Sequence, residues 1–304
     1  MITIIGAGKV GSSAAFAILR SNISDVTLID VFENLAKGEA MDLMQAAPEI
    51  KFEGKIVGSN NFEDMKGSDL VIVTAGQGRK PGMTRTDLLN INAKIIADIT
   101  KQVAKYAPNA KLMMVTNPVD ALTYVAYKTT GFPRHHVFGM GNILDAMRFR
   151  TYLAQQCGVS REDTRALVIG EHGETMVPLV EYASVSGIPI TNLMTEDQIS
   201  TAVCQTVTSG QEVIALKGAT TFAPSTVIAL MADAIITGRN RVLSVTTPLQ
   251  GEYGLSDLSI GVPVILGKNG IEKIIELDLS DEAKERLSLS ASNVKAALAS
   301  LTSS

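Results

Sequence analysis

Only three histidines occur among 304 residues, and one of them, His172, stands in Ile169-Gly170-Glu171-His172-Gly173-Glu174. An imidazole titrates near neutrality, which suits it to give and take protons there. Glycines on both sides leave the backbone free to present the ring at the tip of a turn. The apolar run Ala166 to Ile169 just before it reads as the end of a strand. The chemistry expected of His172 is general acid/base catalysis, although a half-buried turn histidine would share the same local sequence. His135 and His136, which follow Pro133, read as structural or exposed.

A proton exchanger needs groups that orient it and groups that hold its substrate. Asp145 and Arg148 are three apart on an expected helix running to about Cys157, so they share a face. They form either a surface salt bridge or a working pair. In the second case Asp145 orients and charges His172, and Arg148 grips a carboxylate. The stretch Gln77-Gly78-Arg79-Lys80-Pro81-Gly82-Met83-Thr84-Arg85 carries three cations in a setting that forbids regular structure before the next helix. It lies after the strand Asp69–Val73, where a lid over an anionic ligand would sit, or it is a solvated basic loop. Asn117, in Thr116-Asn117-Pro118, ends another strand on the same side as either a ligand contact or a turn residue.

Those candidates require a scaffold, and the first thirty residues supply its pattern. Ile2 to Ile5 is a buried strand, Gly6-Ala7-Gly8-Lys9-Val10-Gly11 follows at once, and Ser12 to Arg20 is helical. A second strand closes on Asp30, nineteen residues beyond Gly11. Strand, glycine turn, helix, strand and acid together form a dinucleotide-binding unit. Gly6 permits the tight turn, Gly8 lets backbone approach a pyrophosphate, and Gly11 lets the helix pack near the strand. The helix N-terminus offers unpaired N–H groups to the phosphates. Asp30 accepts hydrogen bonds from ribose hydroxyls and would repel a 2′-phosphate, which favours NAD over NADP.

Further along, helices are expected at Leu35–Gln45, stopped near Pro48, at Leu88–Tyr106 with Asn92 near its start, and from Pro118 to Thr130. Strands are expected at 55–57, 69–73 and 111–115. The second half reads as strands at 164–170 and 177–187, helices at 198–218 and 224–237, and an antiparallel ribbon at 262–277. A last helix spans Ser280 to Leu301, with Ser280 as its cap. Apolar residues make up 46% and charged residues 19%, which is globular, and the net charge of −4 disfavours a nucleic-acid partner. Cys157 and Cys204 are too far apart in sequence to form a metal motif or a disulfide framework, so a reducing, cytoplasmic setting is expected, without metal. No apolar run approaches a membrane span, and the first residues lack the features of a signal peptide.

The chain resembles the lactate/malate dehydrogenase family along essentially its whole length, most closely the malate dehydrogenases built on the lactate dehydrogenase architecture. The match is carried by residues 6–11, Asp30, residues 79–85, Thr116-Asn117-Pro118, Leu144-Asp145-Ala146-Met147-Arg148 and Gly170-Glu171-His172-Gly173, in the family's order. The resemblance implies an α/β fold: a Rossmann doubly wound parallel sheet at 1–143, then a mixed α/β substrate domain at 144–304. It implies NAD-dependent interconversion of (S)-malate and oxaloacetate, a step of the tricarboxylic acid cycle, by a homodimer or homotetramer. In that pattern His172 exchanges the proton, Asp145 is its partner and Arg148 holds the α-carboxylate. Arg85 polarises the reacting carbonyl, and Asn117 touches substrate and nicotinamide ribose. Gly6, Ala7, Gly8, Lys9, Val10, Gly11 and Asp30 bind the cofactor, Asn92 lies near it, and Val115 and Thr116 pass it through backbone contacts. Thr220 lies where the family often lines the pocket. Arg79 would neutralise the second carboxylate of oxaloacetate, where lactate dehydrogenases generally place glutamine. A lactate or broader 2-hydroxyacid dehydrogenase, a non-catalytic NAD-binding module and an NADP enzyme are the alternatives.

Overall fold

The computed structural model describes residues 1–78 and 83–302. Its first half alternates strand and helix. β1 (Ile2–Ile5) runs through the glycine turn into α1 (Lys9–Arg20), then β2 (Val26–Ile29), α2 (Glu33–Ile50) and β3 (Ile56–Ser59). β4 (Leu70–Val73), α3 (Arg85–Tyr106), β5 (Lys111–Met114), α4 (Val119–Thr130) and β6 (Val137–Gly139) follow. β1, β2 and β4 are apolar almost throughout and wholly buried because helices cover both faces of a parallel sheet.

The alternation of side chains along each strand sorts these faces. Ile4, Ile72 and Met113 point into a core shared with Ala14 and Ile18 of α1, whereas Ile5, Val73 and Met114 point into one shared with Ile96 of α3 and Leu122 of α4. The parallel strands stand in the order β3-β2-β1-β4-β5-β6, the doubly wound order expected from the sequence. Connections diverge on either side of β1, between β2 and β4, which opens a crevice at the strands' carboxyl ends. The register is even: Ile5 lies opposite both Ile29 and Val73, and Val73 opposite Met114. The next residues, Gly6, Asp30, Thr74 and Val115, therefore emerge at one level along that crevice.

The second half contains α5 (Asn142–Cys157), then β7 (Thr164–Ile169), β8 (Val177–Val185) and β9 (Ile188–Pro189), which form a small antiparallel sheet. α6 (Glu196–Lys217) and α7 (Phe222–Thr237) lead to β10 (Arg241–Gln250), β11 (Ser256–Gly267), β12 (Gly270–Ile274) and α8 (Asp281–Thr302). β10 pairs antiparallel with β6 through Thr246 and Gly139, so β10 to β12 extend the first sheet to nine strands. α7 is buried against that sheet, with Val227 and Met231 in the same core as Ile18. Among the described residues no helix is long and apolar enough to cross a membrane.

Several boundaries differ from the sequence reading: β6 and β10 form where no strand is expected, β11 starts at Ser256 rather than Val262, and α6 and α7 each start two residues early. α2 passes through Pro48 and ends at Ile50, where Lys51 turns left-handed at φ 56. A proline so near the end removes one N–H bond from a turn that is already closing, which is why it does not stop the helix earlier. α3 starts at Arg85 rather than Leu88 because Thr84 and Asp87 form a reciprocal capping box ahead of the apolar stripe. The cap on α8 is as expected: the Ser280 hydroxyl accepts from Ala283 N–H at 3.2 Å.

Candidate active site

The glycine turn is built as its spacing suggests. Gly6 has φ +107, and a Cβ there would lie 2.6 Å from the Ala75 nitrogen. A Cβ on Gly11 would lie 1.8 Å from the Gly6 carbonyl oxygen, whereas one on Gly8 would meet nothing within 4 Å. Space is thus open at the one glycine expected to face a pyrophosphate. The N-terminus of α1 has no side-chain cap, which leaves first-turn N–H groups for an anion. Gly8 and Lys9 are exposed, Val10 is half-buried, and Ala7 is buried. Asp30 stands beside the turn: its carboxylate accepts from Ala7 N–H at 2.8 Å and from Phe32 N–H at 3.0 Å. Ala7 therefore shapes the turn through Asp30, and the turn and the acid form one unit that fits a dinucleotide.

Along the crevice, Val115 and Thr116 are buried at the end of β5, and the Thr116 hydroxyl donates to the Ala75 carbonyl at 2.6 Å. Asn92 on α3 is fully buried and spends its amide on backbone. Its oxygen accepts from Gln77 N–H at 2.8 Å, and its nitrogen donates to the carbonyls of Gln77 at 3.1 Å and Asn117 at 2.9 Å. It braces the segment after β4 against the segment after β5. The Asn117 side chain is exposed at the mouth of the crevice. Arg79 and the rest of residues 79–82 lie outside the described residues, as does the side chain of Arg85.

His172 occupies the turn between β7 and β8, and α5 brings its partners. Asp145, in the first turn of α5, is fully buried, with an oxygen 2.6 Å from His172 Nδ1. Its other oxygen accepts from the Arg148 guanidinium at 2.9 Å. The sequence left open whether Asp145 and Arg148 are a surface pair; instead they join His172 in one cluster, with Arg148 16% and His172 11% exposed at the side chain. Arg148 lies against Gly210 of α6, where a Cβ would be 3.2 Å from the guanidinium. With Nδ1 bonded to a carboxylate, Nε2 is the nitrogen left to exchange a proton. Burial works to lower the pKa of His172, but the Asp145 charge and hydrogen bond, helped by the Asp120 charge, outweigh it and raise the pKa above its ordinary 6.5.

The sequence reading missed three supports of this turn. Gly170 N–H donates to Gly261 of β11 at 2.9 Å, Glu171 N–H to the Ser290 hydroxyl of α8 at 2.5 Å, and His172 N–H to the Asp120 carboxylate of α4 at 2.7 Å. The one available signal was Asp120 itself, an acid set between Val119, Ala121 and Leu122 in an otherwise apolar first turn. Burial pushes the Asp120 carboxyl up to about 6, against hydrogen bonds from Thr246 and from the His172 backbone that favour its anion. Thr220 is half-buried in the junction between α6 and α7. His135 and His136 take no part in the cluster: they form a T-shaped pair beside the β11–β12 hairpin, with ring centroids 4.5 Å apart.

The chain is similar to known proteins along nearly its whole length. Residues 1–139 match the profile of the lactate/malate dehydrogenase NAD-binding domain, and residues 143–303 match that of the family's C-terminal α/β domain. This chain belongs to the lactate/malate dehydrogenase family. NAD is accordingly the cofactor of its first half, and the chain is an oxidoreductase of that family. A malate dehydrogenase of Thermomicrobium roseum is 45% identical over 97% of this chain and 96% of its own length. The crystal structure of Cryptosporidium parvum malate dehydrogenase superposes with a TM-score of 0.96 at 38% identity, covering 100% of this chain and 99% of that one. A Cryptosporidium parvum lactate dehydrogenase, solved with lactic acid and nicotinamide adenine dinucleotide, superposes equally well at 0.96, with 35% identity over 100% of this chain and 98% of that one. Overall shape therefore does not separate the two substrates within the family.

Proposed function

We propose that this chain interconverts (S)-malate and oxaloacetate, with His172 as the general acid/base and Arg79 as the residue that selects the substrate. The observation that carries the chemistry is the buried Asp145 carboxylate shared between His172 and Arg148. Arg148 presents a planar fork to the α-carboxylate of the substrate, which supports two charge-assisted hydrogen bonds. His172 takes the C2 hydroxyl proton at Nε2 as malate is oxidised and returns it as oxaloacetate is reduced. When bound, NAD supplies the hydride acceptor for C2 of malate and the donor in reverse. Gly6, Gly8, Gly11 and the α1 N-terminus would hold its pyrophosphate and Asp30 its ribose, with Val115, Thr116 and Asn117 along the nicotinamide end. Asn92 serves there as the brace. Arg85 polarises the carbonyl, and Arg79 neutralises the second carboxylate, which would be costly to bury unpaired.

Work is divided between residues 1–143, which bind the cofactor, and 144–304, which carry the acid/base and the carboxylate clamp. Exposed apolar side chains on α2 and β3 (Met41, 64% exposed; Val57, 52%) and at the α6–α7 junction (Leu216, 86%; Phe222, 76%) support a homo-oligomer, dimer or tetramer. Free thiols at Cys157 and Cys204 fit a cytoplasmic setting.

The deciding experiment measures kcat/KM for oxaloacetate and for pyruvate with NADH, in the wild type and in Arg79→Gln. Oxaloacetate is expected to win by orders of magnitude, and the substitution to erode that preference. Equal or better turnover of pyruvate by the wild type would move the assignment to lactate. In parallel, His172→Asn should bind NADH normally and lose turnover; surviving turnover would remove His172 from its role.

A further inference from the structure

The turn that carries His172 is held by three consecutive N–H groups, and two of the three acceptors are neutral: the Gly261 carbonyl and the Ser290 hydroxyl. The third, under His172 itself, is the carboxylate of Asp120, which is 4% exposed. Its second oxygen accepts from the Thr246 hydroxyl of β10 at 2.6 Å. Room for Thr246 comes from the Gly139-Met140-Gly141 junction: a Cβ on Gly141 would lie 2.3 Å from the Thr246 oxygen. Among the described residues no lysine or arginine pairs with Asp120.

A neutral acceptor would hold a backbone N–H without the desolvation cost of a buried charge. What a charge adds is a field on a neighbouring group that becomes positive. The charged and titratable groups around it are His172 and Glu171 on the turn, with Asp145 and Arg148 of α5 acting on the same imidazole. Of these, only His172 changes between neutral and cationic in the proposed reaction.

We propose that Asp120 is a second positioning carboxylate of His172, fixing the backbone of its turn and, with Asp145, favouring the imidazolium. The inference rests on His172 being the acid/base. Asp145 works on the ring from the side and sets its orientation. Asp120 works from beneath, through the main chain and through charge, and couples α4 and β10 to the proton-exchanging residue.

Asp120→Asn tests it. The amide oxygen can still accept from His172 N–H and the amide nitrogen can donate to the Thr246 oxygen, so the anchor is kept and the charge is lost. The pH profile of kcat/KM for oxaloacetate, and the His172 ring titration followed by NMR, are expected to move to lower pH by about one unit, the lower end of the effect of a nearby opposite charge. KM for NADH is expected to hold, and the thermal midpoint at pH 8 to rise rather than fall, because a carboxyl pushed up to about 6 by burial opposes the fold when ionised. A profile and titration that superimpose on the wild type overturn the proposal, whatever the change in midpoint. If Asp120→Asn does not fold, Thr246→Val removes one hydrogen bond from the carboxylate, raises its pKa and leaves more of it neutral near pH 7. The His172 profile should then move the same way by a smaller amount, and an unmoved profile overturns the proposal equally. His172→Asn separates the two failures. Turnover in that variant defeats the acid/base reading itself, whereas a dead His172→Asn beside an unshifted Asp120→Asn defeats only the role of Asp120.

Discussion

An imidazole that must be a cation in one direction of a reaction and neutral in the other needs its pKa held near the working pH. Burial at 11% side-chain exposure pulls His172 down, and the Asp145 carboxylate at 2.6 Å more than restores it. Asp145→Asn keeps the shape but removes the charge, and its amide can donate to Nδ1 and fix the wrong tautomer. In the proposed reaction oxaloacetate reduction uses the imidazolium, so kcat/KM at pH 7 should fall by about 10²–10⁴, the usual worth of a positioned acid/base. Its remaining pH profile should shift to the acid side, because the pKa of His172 falls with the charge. A stopped-flow series across pH checks both, and an unchanged rate would separate Asp145 from the chemistry. The same linkage has a stability sign. A folded pKa above the unfolded 6.5 means that protonating His172 favours the fold. That contribution is complete below the unfolded value and is lost as pH rises through the folded one.

At the scale of elements, the site is a meeting of ends: the start of α5, the start of α4, the turn after β7 and the flank of α8. Ser290 of α8 is fully buried, and its hydroxyl takes the Glu171 N–H beside His172. Ser290→Ala should leave that donor unpaired, cost about 1–3 kcal/mol, and lower kcat several-fold while KM for NADH holds. Thermal melts read beside steady-state kinetics decide it; a lower midpoint with full kcat would make α8 a support of the fold alone. How legible these elements are in the sequence follows from where their signals lie. β1, α1 and β2 announce themselves because apolar run, glycine turn and acid fall within thirty residues. His172, Asp145 and Arg148 were legible as candidates because each is a rare or charged residue at a turn or a helix start. β10 is obscure because Ser244, Thr246 and Thr247 are polar yet buried, and the partner of the Thr246 hydroxyl, Asp120, lies far along the chain. Asp120 is hidden for the same reason: its acceptors' partners are 52 and 126 residues away in sequence.

At the scale of the molecule, the two halves share one scaffold. β10 of the second half completes the sheet against β6 of the first through Thr246 and Gly139. α7 lies against α1, where the Ser225 hydroxyl reaches the Val10 carbonyl at 3.5 Å. Neither half can expose its inner face without uncovering the core of the other, since Ile4 and Ile18 share one apolar cluster with Val227, Val262 and Leu266. The chain should therefore unfold as one unit despite exceeding the size at which such behaviour is usual. NADH, which the first half is proposed to hold, supplies the test. NADH at 100 times its dissociation constant stabilises whatever unfolds together with its site by about 2.7 kcal/mol, which is about 100-fold in the unfolding equilibrium. In native-state hydrogen exchange, the slowest amides of β1 and β2 should gain that protection. If the halves are one cooperative unit, the slowest amides of β11 and α8 should gain the same factor, although none of these elements is proposed to touch the cofactor. Protection confined to the first half would mean that the second unfolds on its own, and that the continuous sheet joins two domains without coupling them.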